Sequence, residues 1–137
     1  MATRSTIGIS HNGIIKAIYC HWDGYLDNNG KILRDHYKDS VKVNNLIALG
    51  DLSSLGKEIG EKHDFDKAPR NECNYYGRDR GEEGTEFQVF QNRSDFINQI
   101  GEGYNYLFEN NEWLINCGTG WQKLIDAIEI EEAQADD

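Results

Sequence analysis

Proline occurs once in this chain, as Pro69, and no internal repeat or low-complexity tract precedes the acidic end. Nothing in that pattern marks a linker between domains. Cysteine is scarce and scattered: Cys20, Cys73 and Cys117 are odd in number, with no Cys-x-x-Cys pair. A disulfide framework and a structural zinc site are therefore not expected. No apolar run approaches the ~20 residues of a membrane span, and residues 1–6 lack the apolar core of a signal peptide. The expected setting is the cytoplasm. A basic stripe is also missing: 14 Lys and Arg stand against 24 Asp and Glu, a formal charge of −10. Direct binding to a nucleic-acid backbone is disfavoured. The phosphate-loop, dinucleotide, serine-hydrolase and zincin signatures do not occur, and no cofactor or metal is implied.

What is present fits one domain. A chain of 137 residues buries roughly two thirds of its unfolded surface and folds without staples. Apolar residues make up 38% and charged residues 28%, a soluble, globular balance. From Asp126 onward there are six acids and no Lys or Arg; the remaining residues hold 18 acids and 14 bases. Residues 1–130 are expected to form the domain and 131–137 an acidic tail.

Patterning suggests a strand at 3–9, a type I′ turn at Asn12-Gly13, and a return strand at 14–19. Helical spacing joins Ile32, Leu33, His36 and Tyr37. Asp39 can cap a second helix with Val43, Leu46, Ile47 and Leu49, stopped by Gly50. Residues 51–84 lose periodicity. Stretches of that length are usually functional or disordered, and Phe65, Tyr75 and Tyr76 argue for order. A strand is expected at 86–90, then a short helix capped by Ser94. A hairpin over 104–108 and 112–117 turns at Asn110-Asn111. Thr119 to Gln122 matches a capping box before a final helix bearing Trp121, Leu124, Ile125 and Ile128. Strands and helices do not alternate as βαβ units, so the expected fold class is α+β: one antiparallel sheet covered by helices, with a long irregular central segment.

Three stretches concentrate polar and aromatic groups. In the first, His21 and Asp23 would share one face of an extended strand, with Trp22 on the other, so Asp23 can orient His21 as a general base is oriented. The structural alternative has Trp22 in the core, Asp23 in an Asx turn and His21 half-exposed; Tyr25 completes the cluster. The second is Lys62-His63-Asp64-Phe65-Asp66, where His63, Asp64 and Asp66 offer weak evidence for a metal loop, against the alternative of a capped turn or a surface ion pair. In the third, Arg78 and Arg80 can fork onto phosphate or carboxylate oxygens, with Tyr75 and Tyr76 offering stacking faces. Asp79 and Glu82 can instead neutralise those arginines internally. The two ends of this logic, His21-Trp22-Asp23 and Arg78-Asp79-Arg80, are expected to line one concavity.

As a set, Ile18-Tyr19-Cys20-His21-Trp22-Asp23-Gly24-Tyr25 and Gly77-Arg78-Asp79-Arg80-Gly81-Glu82 are distinctive. Together with ATRSTI at 2–7, ALGDLSSL at 48–55 and KHDFD at 62–66, they resemble a family of small hypothetical proteins met in bacteriophage genomes and prophages. The likeness spans roughly residues 2–113. It implies a phage context and carries no activity onto particular residues. By analogy with small phage accessory proteins, the expected role is binding in the host cytoplasm: blocking a host protein, or sequestering a phosphorylated small molecule or nucleotide to evade defence. One alternative is a small enzyme acting on a nucleotide or phosphoester, with His21 or His63 as acid/base. Another is a structural or interaction protein of the phage.

Overall fold

The computed structural model describes residues 2–135. Strands β1 (Ser5–His11) and β2 (Ile14–Cys20) form a hairpin in register from Ser5↔Cys20 to His11↔Ile14. Asn12 and Gly13 both have positive φ, 52° and 81°. That is the type I′ geometry whose twist matches the flanking strands. A π-helical turn (Leu26–Gly30) leads into α1 (Lys31–His36), and α2 (Ser40–Ala48) follows. The Asp39 carboxylate caps α2 by accepting the Lys42 N–H at 2.9 Å. Gly50 ends that region at φ 90°, with a hypothetical Cβ only 2.3 Å from the Thr85 carbonyl oxygen.

The remaining elements are β3 (Leu52–Ser54), β4 (Asn74–Tyr75), α3 (Tyr76–Arg80), β5 (Gln88–Phe90), α4 (Arg93–Ile100), β6 (Tyr104–Glu109), β7 (Glu112–Asn116), β8 (Trp121–Lys123) and α5 (Leu124–Ala135). They build one eight-stranded sheet in the order β4-β3-β2-β1-β6-β7-β8, with β5 also paired to β2. The fold is α+β, as expected, but the sheet is mixed. β1 pairs with β6 and β2 with β3 in parallel; α1 and α2 make the crossover between β2 and β3, and α4 lies between β5 and β6.

Alternation along β2 divides the core. Ile18 and Cys20 join Ile7, Tyr106 and Ile115 under α1, α2 and α5. Ile15 and Ala17 face the other way and pack with Leu107, Phe90 and Phe96 under α4. Three buried tyrosines each find a carbonyl for the hydroxyl: Tyr37 on Gly56, Tyr75 on Leu46 and Tyr106 on Gly24, all at 2.7 Å. No buried side-chain nitrogen or oxygen among the described residues lacks a partner.

Residues 51–84 contribute two short strands to the sheet, as β3 and β4 pair with each other and β3 with β2. Two expectations are corrected. The start of α4 is capped by Asn92, whose side-chain oxygen accepts the Asp95 N–H at 2.8 Å, rather than by Ser94. Thr119 to Gln122 is not a capping box. Trp121–Lys123 is an edge strand on β7, and the helix begins at Leu124. Extension there lets Trp121 stack on Phe96 of α4, ring centroids 6.2 Å apart. The acidic end is helical to Ala135; Asp136 and Asp137 lie outside the described residues.

Candidate functional site

The first candidate stretch leaves β2 at its C-terminal end. The His21 and Trp22 N–H groups donate to the Leu52 and Ser53 carbonyls at 3.0 and 2.9 Å, so the backbone stays tied to β3 for two residues. At Asp23 it turns left-handed, φ 57°. Gly24 is buried, and a Cβ there would come within 2.6 Å of Ser5 Cβ; the bend needs glycine. That turn removes Asp23 from His21. The expected Asp23–His21 pair is absent. Tyr19 takes its place, its hydroxyl sharing a 2.6 Å hydrogen bond with His21 Nδ1. The relation follows strand alternation, since residues two apart share a face. Trp22 meets the His21 ring edge-on at 4.7 Å and remains 43% exposed; Tyr25 is also exposed.

The second and third stretches are folded into each other. Arg78 makes five hydrogen bonds: two to the Asp79 carboxylate, and one each to the carbonyls of Ile59, Gly60 and Cys73, at 2.9–3.1 Å. Asp79 also accepts the backbone N–H groups of Tyr75 and His63, at 2.8 and 3.1 Å, and its side chain is fully buried. Burial opposes its charge, but Arg78 and those N–H groups outweigh burial and hold the carboxyl below its ordinary value. His63 Nδ1 faces the Glu61 carbonyl at 3.0 Å, and Nε2 faces Asn74 Oδ1 at 2.9 Å. Asn74 donates its own amide N–H to Phe65 O. Both ring nitrogens of His63 are therefore engaged by partners within the fold. Asp64 caps the turn at Phe65–Lys67. Tyr75 is sealed in the core. The polar groups of Arg78, Asp79, His63 and Tyr75 are thus engaged within the fold.

Arg80, two residues on, differs. Its guanidinium lies over Phe65 at 4.7 Å and over Tyr76 at 4.8 Å, the two rings stacking at 5.6 Å. It pairs with Glu82, and both side chains are about half exposed. Tyr76 follows core-facing Tyr75 and turns to the opposite side of the sheet, the side that carries Tyr19. The Tyr19 phenol is raised above its ordinary value, chiefly by burial, with Arg4 pulling it down and Glu102 and Tyr76 pushing it up. Asp51 ties the region together: its carboxylate accepts the Tyr19 N–H at 2.9 Å, and its carbonyl accepts the Tyr76 N–H at 3.3 Å.

The product is an aromatic strip, Trp22–His21–Tyr19, continued by Tyr76, Phe65 and Arg80. It lies on the α4 face of the sheet, beyond the cluster that α4 covers. Register sets Cys20, Leu52 and Tyr75 in one row, so Tyr19, Asp51 and Tyr76 come side by side on an open face. A groove of about 810 Å³ opens elsewhere, at the far end of β2. Tyr19, Phe65 and Asp51 were not among the residues singled out. Tyr19 could have been found from its two-residue spacing to His21. Nothing local marks Asp51.

The two buried thiols, Cys20 and Cys73, offer little chemistry. Burial pushes Cys20 up to about 12, and Cys73 is raised for the same first reason; reactive thiols need the opposite setting. Among the described residues no three His, Cys, Asp or Glu side chains converge as metal ligands, and no helix is long and apolar enough to cross a membrane. Comparison with protein-family models, curated proteins and solved structures finds no match.

Proposed function

We propose that the protein is a bacteriophage accessory protein that acts in the host cytoplasm by binding a host protein, and that the Trp22–Arg80 strip is the contact surface. The phage context rests on the sequence resemblance. The choice of binding rests on one observation: neighbouring polar residues are used up inside the fold, while Trp22, His21, Tyr76 and Arg80 are left together at the surface. Trp, Tyr and Arg are the residues that dominate protein–protein binding energy. An open face suits a protein partner better than a small molecule, which needs a concave site to cover most of its surface.

The Tyr19–His21 bond supports a second reading, a small enzyme acting on a nucleotide or phosphoester with His21 as acid/base. An open face that cannot exclude water favours it less.

A photo-crosslinking residue at position 22 in infected cells tests the proposal, with position 45 on exposed α2 as control. One host protein is expected to crosslink from 22 and not from 45. That purified protein should then lose affinity about ten- to a hundredfold for Arg80→Ala. Equal binding by wild type and variant would overturn the assignment. Turnover abolished by His21→Gln would favour the enzyme.

A further inference from the structure

The groove at the other end of the sheet is a separate feature with its own chemistry. Because β1 and β6 run parallel, the β1–β2 and β6–β7 hairpins turn at the same end. Their tips stand side by side there: Asn12-Gly13 on one, and Asn110-Asn111 (φ 53° and 60°) on the other. The register Lys16↔Ile9 and Ile9↔Phe108 sets these three side chains in one row on the α2 face. Ile14, 37% exposed, lies one row outward. The third wall is the start of α2. Ser40 and Asn44 lie four apart on the helix, beside the buried Val43 and Ile47. Large apolar residues there would extend the core and fill the space. Short polar ones leave about 810 Å³ open.

Charge and hydrogen bonding narrow what can fill it. The chain carries 24 acids, yet among the described residues no carboxylate lines this groove. Its walls hold Lys16, which makes no ion pair among the described residues and lies 5.4 Å from the Phe87 ring, and they also hold His11. The side chains of Ser10, His11, Asn12, Lys16, Asn110 and Asn111 take part in no side-chain hydrogen bond among the described residues. Asn44 uses its amide N–H on the Ser40 carbonyl at 2.9 Å and leaves its oxygen over. An apolar floor with a few unused polar groups, in a space of this size, is the make-up of a small-molecule site.

From this we infer that the groove binds a nucleotide-class small molecule, a phosphorylated nucleoside. The phosphate sits toward Lys16 and His11, the basic side chains of the lining. The ring system lies on Ile9, Ile14 and Phe108. The base edge meets the asparagine amides, which offer the paired donor and acceptor that a base edge matches. This inference stands apart from the protein-binding strip, shares no residue with it, and can fail without affecting it.

Titration of the whole protein with AMP, UMP, adenosine and inorganic phosphate, followed by amide NMR, tests it. A nucleoside monophosphate is expected to shift the amides of Lys16, Asn44 and Asn110 and to leave those of Trp22 and Arg80 unmoved. Adenosine, lacking the phosphate, should bind about tenfold or more weakly, as expected for loss of a charged hydrogen bond. Lys16→Met should show the same loss with an unchanged melting temperature. Asn44→Leu, which fills the groove from an exposed helix position, should abolish binding with the fold intact. Overturning results would be no saturable shift with either nucleotide, shifts confined to the strip, binding by phosphate alone as tight as by AMP, or Asn44→Leu binding as wild type does.

Discussion

Arg78 and Arg80 sit two positions apart on the same short helix, with the same side chain and the same glycine-flanked sequence, and they do opposite things. Arg78 points inward, where a buried carboxylate and three loop carbonyls take its donors. Arg80 points outward onto two aromatic faces. The difference lies in what the chain brings within reach. The 59–63 loop has carbonyls that no strand or helix satisfies, and a guanidinium fork closes them at once. On the other side of α3 there is only Glu82 and the Phe65–Tyr76 pair. One arginine organises residues 56–80 against the sheet; the other is available to something outside the protein.

The comparison breaks most visibly at the buried node. Asp79→Ala would leave Arg78 unpaired in the interior, along with the N–H groups of Tyr75 and His63. Removing one partner of a buried ion pair typically costs about 3–5 kcal/mol, and Asp79→Ala should lose that much in chemical denaturation. Arg78→Lys should also lose stability, since a point charge cannot replace the fork. The node has a pH signature too. The folded-state Asp79 carboxyl lies below its unfolded value, so its stabilisation is present above the unfolded pKa and is lost as pH falls through the folded one. Acid unfolding below the ordinary Asp range should be blunted in Asp79→Asn. An unchanged acid limb would mean the pair contributes nothing net.

At Arg80 the expected change in stability is below about 1 kcal/mol, because an exposed ion pair and an exposed cation–π contact are each worth little. Trp22→Ala should behave alike. If Arg80→Ala melts as early as Asp79→Ala, the two arginines are one scaffold, and the outer face loses its claim as a binding surface.

How much of this was legible in the sequence depended on the range over which each feature is decided. Both hairpins could be read, because Asn12-Gly13 and Asn110-Asn111 impose left-handed turns locally. Helix α2 was legible too, from the Asp39 cap and the Gly50 stop. Trp121 was misread because a capping pattern and an edge strand look the same over four residues. What decides is Phe96 on α4, more than twenty residues away, against which only the extended form places Trp121. The α4 cap slipped from Ser94 to Asn92 for a similar reason: two good capping residues stand two apart. At the candidate site, His21, Trp22, Tyr76 and Arg80 could be picked out as unusual. An internal Arg78–Asp79 pairing was legible as one of two readings; that loop carbonyls would take the other Arg78 donors was not, since carbonyls carry no residue identity. The parallel pairing β2–β3 is likewise set by where α1 and α2 return the chain.

The smallest expected effect tests the joint between the two regions. Asp51 links Tyr19 on the open strip to the start of α3, and it is tuned in the opposite sense to Asp79. Burial raises its carboxyl, the Tyr19 N–H draws it back, and Glu82 and Glu86 push it further up. A folded-state value above the unfolded one means the native protein holds that proton more tightly. Stability from this group is therefore greatest below the unfolded value, about 3.9 for an ordinary Asp, and declines as pH rises toward the folded one. At neutral pH the charge is a cost, while the oxygen that receives the Tyr19 N–H is a gain. Asp51→Asn can keep the oxygen and drop the charge, so it should be neutral to slightly stabilising at pH 7 and should not show the decline. Asp51→Ala drops both and should cost about 1 kcal/mol for the unmatched N–H. Denaturation of the two variants across pH separates the effects. If Asn proves as damaging as Ala, the carboxylate charge itself holds Tyr19 and Tyr76 together. The open strip would then depend on electrostatics, as the buried node does, and salt should loosen it.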